Sequence, residues 1–311
     1  TQLANITSLA SITSPGLIVS LVVLGLFPWL ARLAVRLIER QKVYARWSKP
    51  KTFERNLIVI GGGAAGLVSA YISAAVKAKV TLVETHKMGG DCLNYGCVPS
   101  KALIRSAKLA HQIHHAERLG FNKQQLDFSF KKVMQRVHYV IAAIAPHDSE
   151  TRYESLGVEV LNGYAKIVSP WCVEITDAHG TKKALTCKAI IIATGAAPFV
   201  PPLPGLDVTG YLTSDTLWDA LRQRDKPPTR FVVLGGGPIG CELAQAFARL
   251  GSNVTQVEMA DRLMVREDTD VSEFVKQTLQ NDGVKVLIGH QALSTKLRDG
   301  EKILTLESGG T

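Results

Sequence analysis

Apolar and polar positions give this chain two textures. Residues 16–31, GLIVSLVVLGLFPWLA, carry only Ser20 as a polar side chain, and apolar character persists through Leu33, Ala34, Val35, Leu37 and Ile38. The pattern predicts one long helix that begins at Pro15, where proline suits the first turn, and bends at Pro28. From residue 56 the texture changes to short β-branched runs, each followed by a glycine cluster and then by small residues at helical spacing. Residues 100–155 read as mainly helical and 158–192 as β-rich, PFVPPLPG (198–205) reads as a linker, and DKPPTR (225–230) as a turn.

The second texture contains a repeat. A shift of 174 residues lays NLIVIGGGAAGLVSAYISAAVKAKVTLVE (56–84) on RFVVLGGGPIGCELAQAFARLGSNVTQVE (230–258), with 11 of 29 positions identical and no gap. Each copy reads as strand, glycine turn, helix and strand, so the predicted fold class is α/β with two Rossmann-like units, each built on a parallel sheet. The glycines recur as G-x-G-x-x-G. The first permits the tight turn, the second lets a pyrophosphate approach the helix N-terminus, and the third lets helix and strand pack closely. An acid ends each second strand, placed to accept both hydroxyls of an adenosine ribose and to repel a 2′-phosphate. The candidate dinucleotide contacts are Gly61, Gly63, Ala65, Gly66 and Glu84 in the first copy, and Gly235, Gly237, Ile239, Gly240 and Glu258 in the second. Glu258 favours NADH over NADPH as one partner.

Composition narrows the classes. With 311 residues, 46% hydrophobic and 20% charged, the chain has material for about two globular domains, which excludes disorder and fibrous repeats. Five cysteines, at 92, 97, 172, 187 and 241, are too few for a disulfide-stapled scaffold, and they include no C-x2-C pair to suggest a zinc site. The net charge of +9 is concentrated: residues 1–31 hold none, and residues 32–55 hold eight Lys/Arg against two Glu. A nucleic-acid partner is therefore not expected. Basic residues that follow an apolar run, rather than precede it, point to a membrane anchor with its C-terminal side cytoplasmic. Arg32, Arg36 and Arg40 recur every four residues, a stripe suited to anionic headgroups.

Residues 88–101, MGGDCLNYGCVPSK, carry the chemistry. Cys92 and Cys97 stand about one helical turn apart, and Pro99 with the following KALIRSAKLAHQIHHAERLG starts a helix at Cys97. A helix N-terminus and the nearby Lys101 favour the thiolate, the reactive form. This segment, the two glycine loops in this order, and Ala193-Thr194-Gly195 after the apolar strand 189–192 closely resemble the class I pyridine nucleotide-disulfide oxidoreductases. That is the family of dihydrolipoamide dehydrogenase, glutathione reductase and mercuric reductase, and the resemblance spans residues 52–311. It implies FAD on the first glycine loop and NAD, with NADP possible, on the second. It also implies that Cys97 lies beside the flavin, that Cys92 is the thiol that attacks substrate, and that Lys101 pairs with Glu242 next to the flavin ring. Gly90, Asp91, Ala165, Thr194 and Gly195 join the implied flavin-binding set. Pro238 stands where relatives usually carry a tyrosine over the nicotinamide site, and ELAQAFARLG after it looks more like mercuric reductase.

The expected organisation is an apolar helix with a basic segment at 1–50, an FAD unit at 51–205 and an incomplete NAD unit at 206–311. None of the eight histidines has a glutamate five residues later, the family's catalytic pair, and the chain lacks an initial Met and stops in ESGGT. It therefore reads as an internal piece of a longer, homodimeric protein whose C-terminal dimerisation domain lies beyond it, with more membrane helices upstream. His111, His114 and His115 read as the solvated or domain-facing side of a helix rather than a metal site. Two functions remain open: an NAD(P)H-dependent flavoenzyme that reduces a disulfide or soft-metal substrate through Cys92 and Cys97, or a membrane-tethered flavin and NADH module, including a quinone-type reductase, that does not use the pair.

Overall fold

The computed structural model describes residues 15–308, so the first part of the predicted anchor segment lies outside the described residues. Helix α1 spans Pro15–Arg46 and continues through Pro28. Its apolar side chains are uncovered, Phe27 and Trp29 being 67% and 61% exposed.

The first glycine copy folds as β1 (Arg55–Ile60), α2 (Ala64–Ala75) and β2 (Val80–Glu84). After it come α3 (Gly90–Asn94), α4 (Cys97–His114), α5 (Phe130–Ile144) and α6 (Glu150–Ser155), then strands β3 (Val158–Asn162), β4 (Tyr164–Ser169), β5 (Cys172–Thr176) and β6 (Lys182–Ile192). These strands make one six-stranded sheet in the order β3-β2-β1-β6-β5-β4. Strand β6 serves two neighbours. Its first half runs antiparallel to β5 from Lys182 to Thr186, and its second half runs parallel to β1 from Cys187 to Ile192. Both faces of β1 and β2 are covered, so Leu57–Ile60 run apolar without alternation and even the polar Thr81 and Glu84 of β2 are buried. Leu57, Val59 and Leu82 pack on Leu67, Ala70 and Ala74 of α2, while Ile58, Ile60 and Val83 face Val173, Ile175 and Leu185.

After the proline-rich linker come α7 (Leu206–Thr209) and α8 (Ser214–Leu221). The second copy folds as β7 (Arg230–Leu234), α9 (Pro238–Arg249) and β8 (Asn253–Val257), followed by α10 (Thr269–Asn281) and β9 (Lys285–Leu287). Its parallel sheet runs β7-β8-β9, and β10 (His290–Arg298) pairs antiparallel with β11 (Glu301–Ser308). A large buried cluster joins the two halves: Leu103, Phe130 and Met134 from α4 and α5 pack with Trp218, Ala244, Phe247 and Leu279 from α8, α9 and α10.

Candidate functional site

The two glycine loops share a backbone conformation and the bonds that close them. Gly61 and Gly235 adopt φ of +107° and +109°, a conformation that disfavours any side chain. Their N–H groups donate to Val83 and Val257 carbonyls, each at 2.8 Å. Gly62 and Gly236 donate to one carboxylate oxygen of Glu84 and Glu258, each at 2.5 Å. The other oxygen of Glu84 accepts from Thr85 and His86 N–H groups, and that of Glu258 from Ala260. Backbone thus fixes each acid at its loop. A Cβ on Gly66 would collide with the Gly61 carbonyl, and one on Gly240 with the Gly235 carbonyl. Gly63 and Gly237 cap α2 and α9 without a side-chain cap, in extended conformation, so both helix N-termini present backbone N–H groups to the loop. A Cβ on Gly237 would meet nothing within 4 Å, so that cradle is open to a pyrophosphate.

The first cradle collects most of the predicted flavin-binding set. Gly61 abuts Ala193 and Thr194 at the end of β6, a Cβ on Gly90 would lie 2.6 Å from the Gly63 Cα, and one on Gly195 would lie 3.7 Å from an Asp91 carboxylate oxygen. This is the carboxyl end of the neighbouring parallel strands β1 and β6, the edge at which open parallel sheets bind ligands. Ala65 is exposed in the first turn of α2. Ala165 lies on β4 near the end of β2, where the Gly163 N–H donates to the Glu84 carbonyl at 2.8 Å. In the second cradle Ile239 is 63% exposed beside the loop, and Pro238 is the first residue of α9, a position that needs no N–H donor.

Cys92 lies within α3 and Cys97 opens α4, with Gly96 as its N-cap. Both are free thiols, Cys97 exposed and Cys92 half-buried. A hydrogen bond to Cys97, reinforced by burial, pushes the Cys92 thiol up to about 11. Lys101, one turn along α4, meets Glu242 on α9: Nζ lies 2.7 and 2.8 Å from the two carboxylate oxygens. With side chains 60% and 40% exposed, such a pair contributes only about 0–1 kcal/mol. Its position beside the thiols matters more than its strength.

Further ties join this segment and α4 to the second half, and the sequence did not name their partners. His111 Nδ1 lies 2.9 Å from Asp282, whose side chain is 4% exposed and also accepts from Arg249 and Gln245. Thus His111 faces the second half, while His114 is exposed and His115 bonds the His111 carbonyl. The Trp218 indole N–H donates to the Tyr95 carbonyl at 2.7 Å, between the two cysteines. Tryptophan on an amphipathic helix reads as core, and nothing in the pattern names its partner.

Two glycine-loop cradles, one packed on the segment that carries a thiol pair and the other tied to that segment through Lys101 and Glu242, are the architecture of the two-cofactor thiol oxidoreductases. Residues 55–311 match the family model described as pyridine nucleotide-disulphide oxidoreductase, and the chain belongs to that family. It is 32% identical over 237 residues to mercuric reductase from Bacillus cereus, covering 76% of this chain and 36% of that protein. It is 33% identical over 271 residues to dihydrolipoyl dehydrogenase from Bacillus subtilis, covering 83% and 56%. Among solved structures it resembles the HOCl-induced flavoprotein disulfide reductase RclA from Escherichia coli in its Cu(II) complex, with a TM-score of 0.68, 26% identity, and coverage of 82% and 54%. The chain thus spans from about a third to just over half of the length of these relatives.

Proposed function

We propose that the complete protein is an NADH-dependent flavoprotein reductase that acts through a Cys92–Cys97 dithiol on a disulfide or soft-metal substrate. The observation that carries this reading is the placement of the thiol pair: the Gly90 side of its segment packs on the first cradle, and Lys101 bonds Glu242 on the helix of the second. The first cradle fits FAD, because the α2 N-terminus at Gly63 carries no side-chain cap and Glu84, bonded to the Gly62 N–H, stands beside the loop as an acceptor for a ribose. Bound there, FAD would supply the two-electron relay between a nicotinamide and the sulfurs. The second cradle fits a pyridine nucleotide. Glu258 disfavours a 2′-phosphate, and Arg262, the nearest cation able to offset it, is engaged with Thr269 and the Val265 carbonyl.

The chain's own sulfurs carry out exchange. The Cys92 thiolate attacks one sulfur of a substrate disulfide, forming a mixed disulfide and releasing one thiolate. Cys97 then attacks the Cys92 sulfur, releasing the second thiolate and closing Cys92–Cys97. A soft metal ion would take the same two thiolates as ligands. A Cys92 thiol held near 11 needs a base, consistent with the histidine and glutamate that relatives carry in a further domain. A second copy would supply that domain across a dimer interface. Helix α1, with its uncovered apolar surface and basic cytoplasmic end, would hold the enzyme at a membrane.

The test uses the complete, flavin-loaded protein. Two-electron reduction is expected to give a long-wavelength absorbance that Cys97→Ser abolishes, whereas Cys92→Ser retains the band and loses disulfide turnover. Turnover unaffected by either change would transfer the function to a module that bypasses the thiols. Flavin reduction by NADPH as fast as by NADH would remove the nucleotide assignment alone.

A further inference from the structure

The turn between the two cysteines settles its backbone polar groups almost entirely within itself. Tyr95 and Gly96 N–H groups both donate to the Asp91 carbonyl, at 2.9 and 2.6 Å, and the Gly96 carbonyl accepts from Ser100 N–H at 3.0 Å. The Tyr95 carbonyl ends α3, and its partner comes from outside the segment: the Trp218 indole N–H at 2.7 Å, from 123 residues along the chain. A carbonyl left over at a helix end and partly shielded from water gains from a fixed donor, so this bond ties the Tyr95–Gly96 peptide to α8.

Trp218 is itself held firmly. Its side chain is 3% exposed, between Leu217 and Leu221, which are also buried. The N-terminus of α8 is closed by a capping box between Thr213 and Thr216, and His138 of α5 lies 3.2 Å from the Trp218 carbonyl. The donor is therefore presented to the turn by a rigid element rather than recruited by it. Together with Lys101–Glu242, it brackets Cys97: one tie falls two residues before the sulfur and the other four residues after it, both from the second half of the chain.

We propose that Trp218 is a positioning residue for the sulfur pair, fixing the Tyr95–Gly96 peptide so that Cys92 and Cys97 stay at the separation from which their disulfide closes. The inference rests on the disulfide reading above. Opening the disulfide frees Cys92 toward substrate, while Cys97 must keep its place; a turn fixed at its midpoint allows one end to move without the other. Holding the thiols together in the reduced state raises their effective concentration, which favours ring closure over mixed disulfides with an external thiol.

The quantity to measure is the equilibrium of the pair with glutathione: Cys92–Cys97 disulfide plus two glutathione against dithiol plus glutathione disulfide. It is read from the alkylated Cys92 and Cys97 peptides by mass spectrometry in the full chain, and it requires no turnover. Trp218→Phe removes the N–H and keeps a ring. Replacing the indole by benzothiophene removes the N–H and keeps the bicyclic shape. Both variants are expected to shift the equilibrium toward dithiol by on the order of 5-fold to 10-fold, the scale of one lost positioning bond. Denaturant unfolding checks that both remain folded. An unchanged equilibrium in the benzothiophene variant overturns the proposal, even if Trp218→Phe shifts, because shape rather than the hydrogen bond would then be responsible. A wild-type chain that forms no Cys92–Cys97 disulfide at any glutathione ratio would overturn the disulfide reading itself.

Discussion

At the residue scale, Cys92 has the most informative environment. Its thiol is raised first by the hydrogen bond to Cys97 and then by burial, to about 11 against an ordinary value of 9.0. In Cys97→Ala the acceptor is lost and the first of these causes goes with it. The thiolate fraction of Cys92 near pH 7.5 should then rise roughly 10-fold to 100-fold, since each unit of lowered pKa is a factor of ten well below the pKa. Iodoacetamide labelling of Cys92, followed peptide by peptide across pH 6–9, measures this directly. Equal rates in the two proteins would mean that Cys97 does not govern its neighbour. The identity of the pair was legible in the sequence because two cysteines, two glycines and a Pro-Ser-Lys recur at fixed short spacing. The unequal burial of the two sulfurs was not legible, because spacing along the chain does not say which of two nearby side chains the fold covers.

At the element scale, α4 is the member shared by both halves. It carries Cys97 at its first turn, Lys101 one turn later and His111 near its end, and the last two side chains meet residues of the second half. The strands of each glycine copy were readable because β-branched runs end in turns that only glycine tolerates. Helix α4 was readable as a helix, but its partners were not: helical periodicity identifies a face and leaves open what that face packs against. The double role of β6, antiparallel at one end and parallel at the other, was hidden for a similar reason, since pairing depends on neighbours distant in sequence. His111 gives this element a pH dependence. Burial and the Arg249 charge lower its pKa below 6.5, opposed by Asp282, while His115 alongside adds to the lowering. A lowered value in the fold means that the unfolded chain binds the proton more readily, so stability is full above about 6.5 and falls as pH drops through the folded value. Thermal melting between pH 5 and 7.5 should show this loss. His111→Ala should flatten the profile over that range while leaving Asp282 bonded to Arg249 and Gln245. A His111→Ala profile parallel to wild type would place the acid sensitivity elsewhere.

At the scale of the whole molecule, an aromatic pair joins the apolar helix to the six-stranded sheet. Tyr44, near the C-terminal end of α1, stacks on Trp171 in the turn between β4 and β5, with ring centroids 5.5 Å apart and planes 13° from parallel, and Arg40 lies over the Tyr44 ring at 5.9 Å. Aromatic rings and arginines at the end of a long apolar helix are the residues that prefer the boundary between hydrocarbon and water. Upstream of this contact α1 has no comparable cover: Leu24, Phe27 and Trp29 are 59%, 67% and 61% exposed. Thirty-two helical residues rise about 48 Å at 1.5 Å per residue, more than the roughly 30 Å of a hydrocarbon core, which leaves the basic end outside it beside the β4–β5 turn. Exposed apolar area on this scale is disfavoured in water, so the intact chain is expected to partition into detergent micelles or phospholipid vesicles, and a chain beginning at Lys51 to remain in the aqueous phase with its thiols and cradles intact. Phase separation in a nonionic detergent followed by sedimentation with vesicles tests both halves of this expectation. An intact chain that stays monomeric and aqueous in both assays would show that α1 finds its cover within protein, and the membrane assignment would fall while the assignment of the two cradles and the thiol pair stood.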